Sequence, residues 1–161
     1  MNKCILIFLF VQSFLFAEST FHFKEKRYLY ALDQNISLEG DITFRESSIL
    51  LEYSQPESKL LTFFDRNLSI QDAQGYRIIN ITTTPMVHYF FLVLQAIHEK
   101  NQALIQTFFD LQKTGEIQRL MPKDIAKEVI EEITVTMHQD QIQSFQVNIK
   151  NGDRIYIEIQ N

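Results

Sequence analysis

His22, His88, His98 and His138 are the side chains best suited to hold a metal or move a proton, and their spacing suits neither task. No two stand four residues apart, where one helix face would offer both to a metal, and none sits in an HExxH arrangement. The single cysteine, Cys4, precedes an apolar run and provides no thiolate site. Glu131 and Glu132 are neighbours, so in a strand they point to opposite faces and form no carboxylate dyad. There is no GxSxG elbow and no glycine-rich phosphate loop. The four glycines fall in turns or within strands, where backbone geometry is reason enough for them. Lys123, Asp124, Lys127 and Glu128 read as a solvated helical turn. These patterns predict no enzyme, no metal and no cofactor. A hydrolase would need a nucleophile and a base brought together from distant positions.

The residues with an unusual arrangement are apolar, and they lie in "TTTPMVHYFFLVLQAIHEKN", Thr82 to Asn101. Thr84 can cap a helix here, Pro85 fits its first turn and Asn101 can end it. At helical spacing His88, Gln95 and Glu99 share one narrow polar stripe, with His98 to one side. The rest of the helix, roughly 260° of its circumference, is apolar, where a surface helix needs only about a 100° stripe. Such a helix must be covered on nearly every side. His88, on the polar stripe, is expected to face water.

The flanks of this helix alternate like sheet. "ISLEGDITF" places Ile36, Leu38, Gly40, Ile42 and Phe44 on one face, and "SILLEYSQP" does the same with Ile49, Leu51 and Tyr53. "KLLTFFDRNLSIQD" reads as two strands turning at Asp65-Arg66-Asn67, and "YRIINI" as another. Beyond the helix, "NQALIQTFFDLQKTGEIQRLMP" reads as a short helix to about Thr107 and then two strands. "PKDIAKEVI" reads as one helical turn capped by Asp124. Three further strands turn at Gln139-Asp140 and at Asn151-Gly152. The pattern therefore predicts about ten antiparallel strands in hairpin succession, mainly β with one inserted apolar helix. A sheet of that size curls, and the helix is placed to close its concave side.

Residues 1–17 have the form of a secretory signal peptide: Lys3, then an apolar run from Ile5 to Phe16, then Ala17 before Glu18. That run is too short to span a bilayer. The expected organisation is a leader over 1–17 and one domain over 18–161. The net charge of the chain is −5, and losing Lys3 with the leader makes the remainder more acidic. This balance argues against nucleic acid as a partner. Without cysteine after the leader, an exported domain has no disulfide and rests on its core alone.

Taken together, "FHFKEKRYLYAL", "LEGDITFRESSILLEYSQPE", "DRNLSIQD", the apolar helix, "RLMPKD" and "FQVNIKNGDRIYIEI" follow one another in an order that resembles the LolA-type outer-membrane lipoprotein carriers. The resemblance spans nearly all of the chain after the leader. It implies an incomplete antiparallel β-barrel, a half-barrel of the LolA/LolB kind, with a helical lid over its concave face. It also implies a monomeric periplasmic carrier that shelters acyl chains of lipoproteins, or another lipid-linked cargo, between an inner-membrane donor complex and an outer-membrane acceptor. The chain departs from the family in two places. Phe21 follows Glu18 too closely for the usual helix before the first strand. Arg45-Glu46-Ser47 stands where those carriers have Lys-Arg-Pro, which leaves Arg45 as the candidate lid latch, through a carbonyl at the lid end or loop.

Strand alternation and the apolar arc of the helix predict that Leu38, Ile42, Leu51, Tyr53, Phe63, Phe90, Phe91, Leu94, Val135 and Phe145 line one connected apolar space. Phe63 and Phe64 could exchange places, because the phase of "KLLTFF" is ambiguous. The alternative is a non-catalytic binding or assembly factor of the same fold, with a filled core and an active surface.

Overall fold

The computed structural model describes residues 18–160; the leader expected over 1–17 lies outside the described residues. Six strands come first: β1 (Ser19–Leu29), β2 (Gln34–Phe44), β3 (Ser48–Gln55), β4 (Lys59–Phe64), β5 (Asn67–Asp72) and β6 (Gly75–Asn80). Helices α1 (Pro85–His98) and α2 (Gln102–Phe108) follow, and then β7 (Phe109–Thr114), β8 (Ile117–Pro122), β9 (Ile130–His138), β10 (Gln141–Ile149) and β11 (Arg154–Gln160). The strand count is thus eleven where about ten were expected. All pairings are antiparallel, in one sheet of order β6-β5-β4-β3-β2-β1-β11-β10-β9-β8-β7. The sheet is open, with β6 and β7 at its edges.

The sheet curls round α1. Eleven strands laid flat would set the edges roughly 48 Å apart, while α1, with 14 residues, is only about 21 Å long. Yet rings on consecutive positions of α1 reach three well-separated strands. Tyr89 meets Phe109 of β7 with centroids 5.9 Å apart, Phe90 meets Phe145 of β10 at 5.5 Å, and Phe91 stacks on Phe63 of β4 at 5.0 Å. A flat sheet could not bring β4 and β7 to one helical turn. The helix therefore lies on the concave side, and its wide apolar arc has the cover it requires. Positions 89 to 94, 96 and 97 are all buried.

Strand phase follows the alternation. Ile42 faces Leu51 across β2 and β3, and Phe63 sits between Ile49 and Leu68. This settles the register of β4, with Phe63 inward and buried. Asp65-Arg66 and Gln139-Asp140 are two-residue turns with both residues left-handed, the backbone that suits the twist of a hairpin. The β10–β11 connection is longer. Gly152 N–H donates to the Ile149 carbonyl at 2.9 Å and Ile149 N–H to the Asp153 carbonyl at 2.9 Å, with Gly152 in the left-handed region at φ 93°.

The helix ends differ from the sequence reading. Thr84 occupies the N-cap position of α1 but its hydroxyl makes no capping bond. Asn101 does not end α1. Lys100 takes the left-handed position at φ 55°, Asn101 N–H donates back to the Ala96 carbonyl, and the Asn101 side chain instead caps α2 through Leu104 N–H at 3.1 Å. Asp124 likewise does not cap its turn. Lys123 holds the cap position of a 3-10 turn over Asp124–Glu128, and Asp124 itself is left-handed at φ 44°.

Candidate functional site

The ten residues expected in one wall do not share one space. Ile42, Leu94 and Phe145 border a cavity of about 220 Å³ beneath the C-terminal half of α1, together with Phe21, Phe44, Ile97 and Ile157. Leu51, Tyr53, Phe90 and Phe91 border a second cavity of about 150 Å³ near the N-terminal half, with Leu68 and Met86. The partition between them is the edge-to-face contact of Phe90 with Phe145. Phe63 faces a third, open groove of about 490 Å³ beside His88, Leu92 and Phe108. Val135 is fully buried in the core, and Leu38 is half-buried and packs at its margin; neither borders these three spaces. Alternation told which way each side chain points. It could not tell which of them the helix aromatics would wedge apart.

Arg45 does not reach a carbonyl of the lid. Its Nε donates to the Glu18 carboxylate at 2.6 Å, at the start of β1. The backbone of Arg45 closes the β2–β3 turn on Ser48 at 2.9 Å. Both side chains of the pair are half exposed, so its contribution to stability is small.

Two polar features depart from the sequence reading. The first is on β1. Phe21 and Phe23 point inward, so the alternation carries Glu25 and Arg27 onto the same concave face. Glu25 is 1% exposed. One of its oxygens accepts from Arg27 Nε and the other from the Tyr53 hydroxyl at 2.7 Å, while Arg27 Nη2 donates to the Tyr53 oxygen at 3.2 Å. Burial, and then the Glu25 carboxylate, push the Tyr53 phenol far above its ordinary range, so it remains a donor. Burial opposes the charge on Arg27, but Glu25 beside it more than offsets this and its pKa rises. The signal was present in "FHFKEKR": two aromatics and then an acid and a base at period two.

The second feature is His88. The helix wheel puts it on the polar stripe, but α2 folds back over that stripe. Phe108 lies edge-on to the imidazole at 6.4 Å, and Nδ1 is buried with no hydrogen-bond partner among the described residues. His88 is therefore half-buried at the edge of the open groove, with Nδ1 shut off from water, rather than fully solvated. His98 stacks flat on Phe44 at 4.2 Å, over the mouth of the first cavity. Burial lowers the pKa of both; Arg66 adds to the effect at His88, and Glu99 opposes it at His98. The unfolded chain takes up protons near pH 6.5, while the folded chain resists them to lower pH. The stability that comes from keeping these rings neutral is complete above that value, and declines as pH falls through it toward the folded pKa values. The urea midpoint is expected to drop between about pH 7.5 and about pH 5.5, and to drop less in a His88→Leu/His98→Leu variant. An identical drop in the variant would show that other groups carry it.

Among the described residues no three His, Cys, Asp or Glu side chains gather as a metal site would require, and no helix is long and apolar enough to cross a membrane. What the site can do chemically is shelter apolar matter in two small compartments, one of which has an ion pair in its wall. The chain matches no family model and no curated protein.

Proposed function

We propose that this protein is a carrier for acyl chains, of the LolA-like kind that its sequence resembles, working in the periplasm between a membrane donor and a membrane acceptor. The observation that supports this most is the cavity of about 220 Å³ between α1 and the concave sheet, walled mainly by apolar residues such as Phe21, Ile42, Phe44, Leu94 and Phe145, with Ser19, His98, Asp140 and Gln141 also in its lining. A water-filled apolar space is unfavourable, and each CH₂ that displaces the water contributes about 0.8 kcal/mol. The same arithmetic makes transfer of a free acyl chain through water prohibitive, so a carrier answers a physical need. The reaction is binding and release, with no bond made or broken. In this reading α1 is the lid and the open sheet its frame.

Ile142 offers the cleanest test. It borders the first cavity, is only half-buried and sits at a register irregularity of β10, so a larger side chain there can be absorbed. Ile142→Trp is expected to fill the cavity and lower the affinity for a fluorescent acyl probe about tenfold, a loss of roughly 1.4 kcal/mol. The denaturant midpoint should hardly move. Native mass spectrometry of the gently purified protein should show bound acyl species. Absence of any apolar ligand, together with probe affinity indifferent to Ile142→Trp, would sink the carrier reading.

A second reading has one observation in its favour. From Tyr89 to Ile97 every residue of α1 but Gln95 is buried, with aromatic contacts to β4, β7 and β10, as in a core plug. A binding or assembly factor acting through its surface would have that construction, and Tyr76 and Ile78 are exposed on edge strand β6.

A further inference from the structure

The second cavity has a feature that an all-purpose grease pocket does not need. Its lining is aliphatic and aromatic except for the Glu25–Arg27–Tyr53 cluster. Burying an ion pair in such a wall is costly, and well-packed apolar residues would hold the strands as firmly. Within the cluster the acid is saturated. Both Glu25 oxygens accept hydrogen bonds and its side chain is 1% exposed. The base is not. Arg27 uses Nε on Glu25 and one Nη2 N–H on Tyr53, and its remaining guanidinium N–H groups have no partner among the described residues. Its side chain is 37% exposed. The pair is therefore oriented, with its negative end in the core and its positive end at the rim of an apolar space.

We propose that this cavity takes an amphiphile with an anionic head, a carboxylate or a phosphate, with Arg27 holding the head and the tail lying along Leu68, Met86 and Phe90. A planar guanidinium fork matches both oxyanions. The Glu25 and Tyr53 bonds hold that fork in place before the ligand arrives, so little freedom is lost on binding. Among the described residues no other acidic side chain borders the cavity to repel the head. The inference rests on the carrier reading and adds a head-group class to it.

The test compares decanoate, decyl phosphate and decanol, titrated calorimetrically below their aggregation limits. The proteins are the wild type, Arg27→Lys and Glu25→Gln/Arg27→Gln. The double variant removes both charges together, so neither is left buried alone, and its fold is checked by its melting temperature. The wild type is expected to bind one or both anions at least tenfold tighter than decanol. The double variant should lose that preference and keep its affinity for decanol. Arg27→Lys, with a point charge in place of the fork, should fall between them. A preference for decanoate alone identifies a carboxylate head, and one for decyl phosphate alone a phosphate head. Equal binding of all three ligands by the wild type, or a preference that survives the double variant, overturns the head-group proposal while leaving the carrier reading intact. No binding of any of them overturns both.

Discussion

Gly40→Ala is expected to destabilise the protein by about 3 kcal/mol or more and to disturb the polar cluster in the second cavity. A β-carbon at position 40 would lie 2.1 Å from the Glu52 carbonyl oxygen and 2.9 Å from Tyr53 Cα. These are backbone atoms of β3, so no rotamer change relieves the clash; the strand itself must move. The approach is this close beside an irregularity in the β2–β3 ladder, where Glu39 pairs with Gln55 and Gly40 with Tyr53, leaving Ser54 without a counterpart. Tyr53 is also the residue whose hydroxyl completes the shell around Glu25. Displacing its backbone weakens that bond and exposes the cost of a buried carboxylate. Equilibrium denaturation would measure the loss, and near-ultraviolet circular dichroism would report the disturbed tyrosine. A variant as stable as the wild type would mean that β3 yields far more easily than a paired strand should.

Phe91→Ala and Phe90→Ala are expected to part company. Phe91 also borders the second cavity, but it is only 2% exposed and is stacked flat on Phe63, so its loss should cost roughly 3–5 kcal/mol, as for a ring removed from a packed core. Phe90 borders the second cavity and stands edge-on to Phe145, which borders the first. Phe90 is 9% exposed and stands between two cavities rather than against one, so its removal should cost less, on the order of 2–3 kcal/mol. It should also join the two cavities. Read from the sequence, both rings sit in one wall and both truncations weaken acyl binding. With Phe90 as the partition, its truncation is instead expected to shift the best-bound probe to a longer chain. Affinities for a series of fatty acids of increasing length would show the shift. If both variants lose most of the fold and neither changes the length preference, α1 is a plug and not a lid.

Much of this architecture could be read residue by residue. The alternation of Ile42, Leu51 and Tyr53, or of Phe145 and Val147, records the two-residue period of a half-buried strand. The run from Tyr89 to Ile97 records a helix that must be covered all round. These are local signals, because backbone period and one-sided burial act on neighbours in the chain. The short α2 was legible for the same reason, although its cap, Asn101, reads equally well as the end of α1.

What the tertiary structure alone decided involves residues far apart in sequence. Arg45 has Glu18 within reach because β1 and β2 pair in a particular register, and so its guanidinium bonds to β1 although Arg45 borders a small cleft beside Gln95 and Glu99 at the lid end. His88 has its Nδ1 shut off from water because α2 turns back beside it, and a helix wheel contains no second helix. Phe90 divides the cavity because a curled sheet brings Phe145 to it from 55 positions away. Glu25 and Arg27 could be assigned to the inward face from their spacing, but only the fold shows Tyr53 waiting for them across β2. Period determines which side of the sheet a side chain takes. The company it finds there is set by curvature and register, which are sums over many contacts and are written in no single stretch of the chain.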